Sequence, residues 1–217
     1  MDVQAKREET YKSAWQDLTL AARRAYARGL QTGSGGNLSV RLPGCPAMMV
    51  KSSGGSFADC GEDGRGWTPV GLDGLPMGTD TPTREWRLHA ALLRELETAS
   101  GIVHCHAPWT VAWAESHEEL PQATWHCKLK FNCAIPVIHI PAAVVPEEQM
   151  DRILSRFREN PALPAFILRG HGLVTVGKSA VEAEHIAEMV EETAQICVLQ
   201  TLLRSASEKE RVENRAI

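Results

Sequence analysis

Apolar residues recur at intervals of three and four along residues 2–30, through Trp15, Leu18, Ala22, Tyr26 and Leu30, which predicts a long N-terminal helix stopping near Gly33. The pattern then changes. Residues 38–42 alternate as a strand does, Pro43-Gly44 marks a turn, and residues 47–51 read as a second strand, so the pair is expected to form an antiparallel hairpin. Residues 59–80 are rich in glycine and charge and predict a long excursion or a ragged hairpin through residues 67–70. Leu88, Leu92 and Leu96 form one stripe of a helix that opens around residues 81–85.

Past that helix, residues 102–106 (Ile-Val-His-Cys-His) read as a strand and residues 109–115 as a short helix, while residues 120–130 fit neither period. A β-branched run at 135–140 predicts a strand, and Pro146 with two following acids predicts a helix start running to about Arg158. Residues 164–168 and 173–176 read as strands joined by a tight turn at Arg169-Gly170-His171-Gly172. A final helix begins at Ser179, with Glu182 three residues on as a capping-box partner, and continues to about Ser205. No repeat, low-complexity tract or linker interrupts the chain, so residues 1–217 are expected to form a single domain.

Composition excludes more than it assigns. A formal charge of −4 over 217 residues leaves no electrostatic footprint for nucleic acid. The N-terminus has no apolar targeting segment and no run approaches a membrane span, so a cytoplasmic location is the default expectation. Six cysteines without a Cys-x-x-Cys pair or regular spacing argue against a zinc ribbon or a disulfide framework. Cys105, lying between two histidines on a predicted strand, should face away from both.

The candidate chemistry sits on that strand. With a period of two, His104 and His106 share one face and can chelate a metal ion; the alternative is a buried, hydrogen-bonded histidine beside a surface one. His171, between two glycines, is either a surface turn residue or a third imidazole for the same ion. Glu85 is either an acid suited to a helix's first turn or a carboxylate placed to move a proton beside a metal. Two glycine-rich polar loops, residues 33–37 and 52–55, together with Thr83 and Arg84, offer backbone amides and hydroxyls of the kind that cradle phosphate.

Taken in order, the segments Gly33-Ser34-Gly35-Gly36-Asn37-Leu38-Ser39, Lys51-Ser52-Ser53-Gly54, Pro82-Thr83-Arg84-Glu85-Trp86-Arg87-Leu88-His89, Gly101-Ile102-Val103-His104-Cys105-His106-Ala107 and Gly170-His171-Gly172-Leu173 resemble the class II, zinc-dependent sugar-phosphate aldolases of the fuculose-phosphate type. That family also includes epimerases, dehydratases and the non-catalytic adducin head domains. The resemblance spans roughly residues 10–200. It implies a three-layer α/β/α fold around a mainly antiparallel sheet, and a homotetramer with active sites between subunits. It further implies that His104, His106 and His171 bind Zn2+. Glu85 would ligate the resting metal and serve as acid and base. Ser34, Asn37, Ser53, Gly54, Thr83 and Arg84 would hold the phosphate of a phosphorylated substrate.

The chain also departs from the family pattern. Family aldolases use a tyrosine from a neighbouring subunit as proton donor, but here Trp125-His126 stands in the matching segment, and both tyrosines, Tyr11 and Tyr26, lie in the first helix. His126 is the candidate replacement, since imidazole exchanges protons near neutrality. Arg84 stands where serine is common and suits a phosphate or a carboxylate. The expected activity is cleavage of a phosphorylated ketose to dihydroxyacetone phosphate and an aldehyde. Decarboxylation of a phosphorylated keto-acid is the nearest rival within the family, and a non-catalytic adducin-like module is the rival outside enzymology.

Overall fold

The computed structural model describes residues 3–213. Helix α1 spans Val3–Ala27 and closes on Gly29, whose φ of 73° allows Leu30 N–H to return to the Ala25 carbonyl at 2.9 Å. The helix therefore ends before the expected Gly33, because the first left-handed glycine terminates it. Strands β1 (Asn37–Arg41) and β2 (Ala47–Lys51) form the expected hairpin, with Ser39 opposite Val50.

The glycine-rich stretch is more ordered than its composition predicts. It contains a 3-10 turn at Phe57–Asp59 and strand β3, Trp67–Gly71, which pairs antiparallel with all of β2. Of the two alternatives the pattern left, the structure takes the hairpin through residues 67–70, and Pro69 is tolerated there because β3 is an edge. Trp67 anchors it by donating its indole N–H to Thr19 of α1 at 3.0 Å.

The remaining elements are α2 (Trp86–Glu95), β4 (Gly101–Cys105), α3 (Pro108–Ala114), β5 (Glu119–Leu120), α4 (Trp125–Lys130), β6 (Ile135–Ile138), α5 (Met150–Glu159), β7 (Ala165–Leu168), β8 (Gly172–Gly177) and α6 (Ala180–Glu213). The ambiguous stretch 120–130 thus splits into the end of a two-residue strand and one short helix. Helix α6 runs past the expected Ser205, and residues 214–217 of the C-terminal tail lie outside the described residues. Its N-terminus is closed by Ser179, whose hydroxyl accepts Glu182 N–H at 3.0 Å, and by Asp17 of α1, which accepts Ala180 and Val181 N–H.

Eight strands form one mixed sheet in the order β3-β2-β1-β4-β8-β7-β6-β5, antiparallel except for β6 with β7. Helices cover both faces. Residues of α1, α3 and α6 pack with Leu38, Val103 and Cys105 in one core. Residues of α2 and α5 pack with Met48, Ile102 and Val174 in the other. Alternation along β4 therefore sends Cys105 into the first core and turns His104 toward α2, as the period of two requires. All six cysteines are free thiols.

Candidate active site

Strand β4 ends at Cys105, one residue short of its expected end, so His106 lies just beyond the ladder and is exposed while His104 is buried. The two rings nonetheless converge, and His171 joins them from the turn between β7 and β8. Ring centroids are 5.1 Å apart for His104 and His106, 4.8 Å for His104 and His171, and 5.3 Å for His106 and His171. One potential ligand nitrogen from each lies within 4.8 Å of the others. The glycines beside His171 have separate tasks. Gly170 turns the chain at φ 66°. Gly172 admits the two other histidines, since a Cβ there would stand 2.5 Å from the Cys105 carbonyl and 3.0 Å from the His104 ring.

Glu85 occupies the position just before the first residue of α2, makes no capping hydrogen bond with its side chain, and is buried beneath this cluster. Its Oε2 lies 3.2 Å from His104 Nε2, and its Oε1 lies 3.8 Å from His171 Nε2. Glu85 Oε1, His104 Nε2 and His171 Nδ1 are buried without a hydrogen-bond partner. His104 Nδ1 donates to the Leu173 carbonyl at 3.0 Å, which leaves Nε2 as a bare lone pair. Burial, followed by the neighbouring His171 and His106, pushes the His104 pKa well below the ordinary histidine value. His106 is lowered too, chiefly by burial and then by His171, against a smaller opposing pull from Glu85. Neutral imidazoles with free lone pairs beside an unsatisfied carboxylate oxygen suit a divalent cation. The residues present fit such an ion.

Three further residues, which the pattern of the chain did not mark as functional, help to fix this geometry: Ser39, His89 and Gln31. Ser39, His89 and Asn37 line up behind Glu85. Ser39 Oγ meets His89 Nδ1 at 2.7 Å, His89 Nε2 meets Asn37 Oδ1, and Asn37 Nδ2 donates to Glu85 Oε2 at 2.8 Å. Asn37, expected on the phosphate, has its amide turned inward onto this carboxylate. Gln31 Oε1 accepts the His106 backbone N–H at 2.9 Å and so ties the glycine turn to the end of β4. Periodicity marks Ser39 and His89 only as parts of a strand and a helix, because pairing across about fifty residues leaves no local signature.

The expected anion-binding segments are only partly assembled by the fold. Thr83 N–H donates to the Lys51 carbonyl at 2.9 Å and Ser53 N–H to the Thr81 carbonyl at 2.8 Å, so residues 51–53 and 81–83 run side by side. Ser53, Gly54 and Arg84 are exposed, while Thr83 is buried. Ser53 lines a cavity of about 520 Å³ with Ser52, Ser56, Arg65 and the buried Lys51, whose pKa is lowered chiefly by burial. Ser34 stands exposed on the separate turn before β1, and among the described residues no hydrogen bond joins it to either segment. His126 is exposed on α4 beside Trp125, itself 82% exposed, and makes no hydrogen bond or ring contact with the histidine cluster of its own chain.

Comparison with known proteins identifies the family. Residues 16–198 match the Class II Aldolase and Adducin N-terminal domain, so the chain belongs to that family. It is 28% identical over 191 residues to a 3-oxo-tetronate 4-phosphate decarboxylase of Escherichia coli (strain K12), covering 85% of this chain and 86% of that one. It is likewise 28% identical over 199 residues to a 5-methylthioribulose-1-phosphate/5-deoxyribulose-1-phosphate aldolase of Rhodospirillum rubrum, covering 88% and 86%. Among solved structures, L-fuculose-1-phosphate aldolase from Thermus thermophilus superposes with a TM-score of 0.76 at 25% identity, over 88% of this chain and 96% of that one. These relatives are enzymes acting on phosphorylated sugars or sugar acids, and no described helix is long and apolar enough to cross a membrane.

Proposed function

We propose that this protein is a metal-dependent lyase that releases dihydroxyacetone phosphate, and that its substrate is a phosphorylated 3-oxo sugar acid that loses carbon dioxide. The observation that carries this reading is Glu85, a buried carboxylate with one oxygen held by Asn37 and the other free beside three convergent imidazoles. The names of the relatives point to one shared species. Loss of CO2 from 3-oxo-tetronate 4-phosphate breaks the C1–C2 bond and leaves its electron pair in an enediolate over C2 and C3. Protonation at C2 then gives dihydroxyacetone phosphate. Aldol cleavage of a ketose 1-phosphate reaches the same enediolate by losing an aldehyde instead.

The ion that His104, His106 and His171 would hold, zinc in this proposal, supplies a Lewis acid for charge developing on the substrate's oxygens. In either reaction Glu85 Oε1 delivers the proton to carbon, and in the reverse direction removes it. Burial keeps this carboxylate from water, while Asn37 fixes its orientation. Ser53, Gly54, Thr83 and Arg84 would hold the phosphate at a distance from the reacting bond, so that binding energy there orients the reacting carbon.

Decarboxylation is favoured over aldol cleavage because it needs no second proton shuttle for a departing aldehyde. Neither tyrosine of the chain belongs to the cluster, since both lie on α1. The retained histidines argue for an enzyme over an adducin-like module. A homotetramer would bring the exposed α4 turn of one subunit toward another. Two measurements test the function. Incubation with dihydroxyacetone phosphate in deuterium oxide should exchange one carbon-bound proton, a step both reactions share. Incubation with 3-oxo-tetronate 4-phosphate should release CO2. Exchange without CO2, accompanied by aldehyde release from a ketose 1-phosphate, would favour the aldolase reading; absence of exchange would reject both.

A further inference from the structure

We propose that His89 is a positioning residue whose Nε2–H, donated to the Asn37 amide oxygen, holds the amide nitrogen toward Glu85 and so decides which carboxylate oxygen is left free to handle the proton. The proposal deepens the reading of Glu85 as acid and base and rests on it. His89 lies one turn after Glu85 on α2, fully buried beneath β1. Ser39 and Asn37, both inward on β1, bracket its ring.

The hydrogens along this row can be assigned by elimination. An ionised carboxylate only accepts, so the Asn37 atom facing Glu85 must be the amide nitrogen. The amide oxygen consequently faces His89, and because that oxygen also only accepts, His89 Nε2 must carry a hydrogen. Nδ1 is then a lone pair, and Ser39 is the donor that satisfies it. The other tautomer would aim two acceptors at each other at Asn37, while the Ser39 hydroxyl can either donate to Nδ1 or accept from it, so the Asn37 contact selects the tautomer. Burial favours the neutral ring, lowering its pKa to about 3, so the row persists throughout the neutral range.

Fixing the amide has a consequence at the carboxylate. Asn37 Nδ2 engages Oε2, which also lies nearest His104, and Oε1 is left buried and unpartnered on the side of His171. If the amide could turn over, its oxygen would repel Oε2 and the carboxylate would have no preferred rotation. Misplacing a reacting group by a fraction of its contact distance costs rate more than affinity.

Three variants test this with dihydroxyacetone phosphate and deuterium oxide as the exchange probe. His89→Leu removes the donor to Asn37 and should lower kcat for exchange about 30-fold, with KM and bound zinc per chain each within about twofold of the parent. His89→Gln, whose amide nitrogen can occupy the place of Nε2, should recover kcat to within about threefold of the parent. Ser39→Ala should lower kcat about threefold. In nitrogen-15 spectra of the histidine-labelled parent protein, His89 should appear as the single Nε2–H tautomer.

A Gln variant as slow as the Leu variant would overturn the positioning role, as would an Nδ1–H tautomer of His89 in the parent protein. If His89→Leu does not fold, those two readouts decide the matter alone. Glu85→Gln provides the separate control: if it exchanges at the parental rate, the acid–base reading itself fails. An inactive Glu85→Gln beside a fully active His89→Leu would reject only the relay.

Discussion

Glu85, His104, Asn37, His89 and Ser39 lie packed between α2 and the centre of the sheet, each polar group but two committed to a named partner. Ser34, Ser53, Gly54, Arg84 and His126 stand in solvent on turns, or on a short helix, with few ties to one another. The two groups differ in what holds them. The inner residues project from one strand face and one helix face, and their orientation is dictated by desolvation: a wrong rotamer would strand a donor or acceptor in the core. The outer residues are held by backbone turns and gain a fixed orientation only when something binds. In the proposed function, proton handling would fall to the buried group and phosphate recognition to the exposed one.

The sharpest way to break this contrast is to alter the inner region without changing its shape. Glu85→Gln should slow solvent exchange into dihydroxyacetone phosphate by about 10³-fold, while zinc content by elemental analysis remains near one ion per chain. A loss below about tenfold would remove Glu85 from its role.

Next in size is an effect of acid on stability. His89 has a folded pKa of about 3 against an ordinary value of 6.5, so below pH 6.5 the unfolded chain takes up a proton that the folded one refuses. Stability from this group is complete above about pH 6.5 and falls, by up to about 1.4 kcal/mol per pH unit, until the pH reaches the folded value. Burial of His104 acts in the same direction in metal-free protein. Urea unfolding of the chelator-treated chain at about pH 7.5, 6 and 5 should show a falling midpoint, and His89→Gln should flatten that slope.

Smaller effects are expected at the rim. Ser53→Ala should raise KM for the phosphorylated substrate about tenfold, with kcat within about twofold, as loss of one charge-assisted hydrogen bond requires. A fall in kcat instead would mean that the outer loop takes part in the chemistry. His126→Phe separates the two reactions most finely. Release of CO2 should change less than about twofold, whereas any aldehyde-releasing activity should fall further, because only that reaction needs a proton taken from the hydroxyl that becomes the aldehyde oxygen.

His104 and His106 were legible from their spacing on one strand, whereas His171 and Glu85 joined them only through the family resemblance of the ordered segments, and the fold places all four side by side. The row behind Glu85 was not. Ser39 and His89 are ordinary residues of a strand and a helix, and only the docking of α2 under β1 makes them partners. Asn37 was legible as a site residue, but the direction of its amide was not, since that depends on His89. Strand β3 was legible only as one of two alternatives, because Pro69 and the surrounding glycines weaken alternation at an edge where pairing on one side suffices. The stop of α1 was misplaced for a related reason: several glycines were available, and the backbone used the first one able to close the helix.

The short ladder that pins Thr83 to Lys51 also acts as a ruler. Only Arg84 separates Thr83 from Glu85, which stands immediately before the first helical residue of α2. Adding or deleting a single residue at that point would break the register between the ladder and α2 and displace the acid from the histidines, with every candidate residue type still present. In the loop at 61–66 the Gly66 carbonyl accepts Ser52 N–H at 2.8 Å, while the exposed residues 62 and 63 sit in a turn that closes on itself through Gly61 N–H and the Arg65 carbonyl at 3.0 Å. Length variation should therefore be tolerated in the long excursion and excluded from the short stretch beside it, a contrast that an insertion library could read directly.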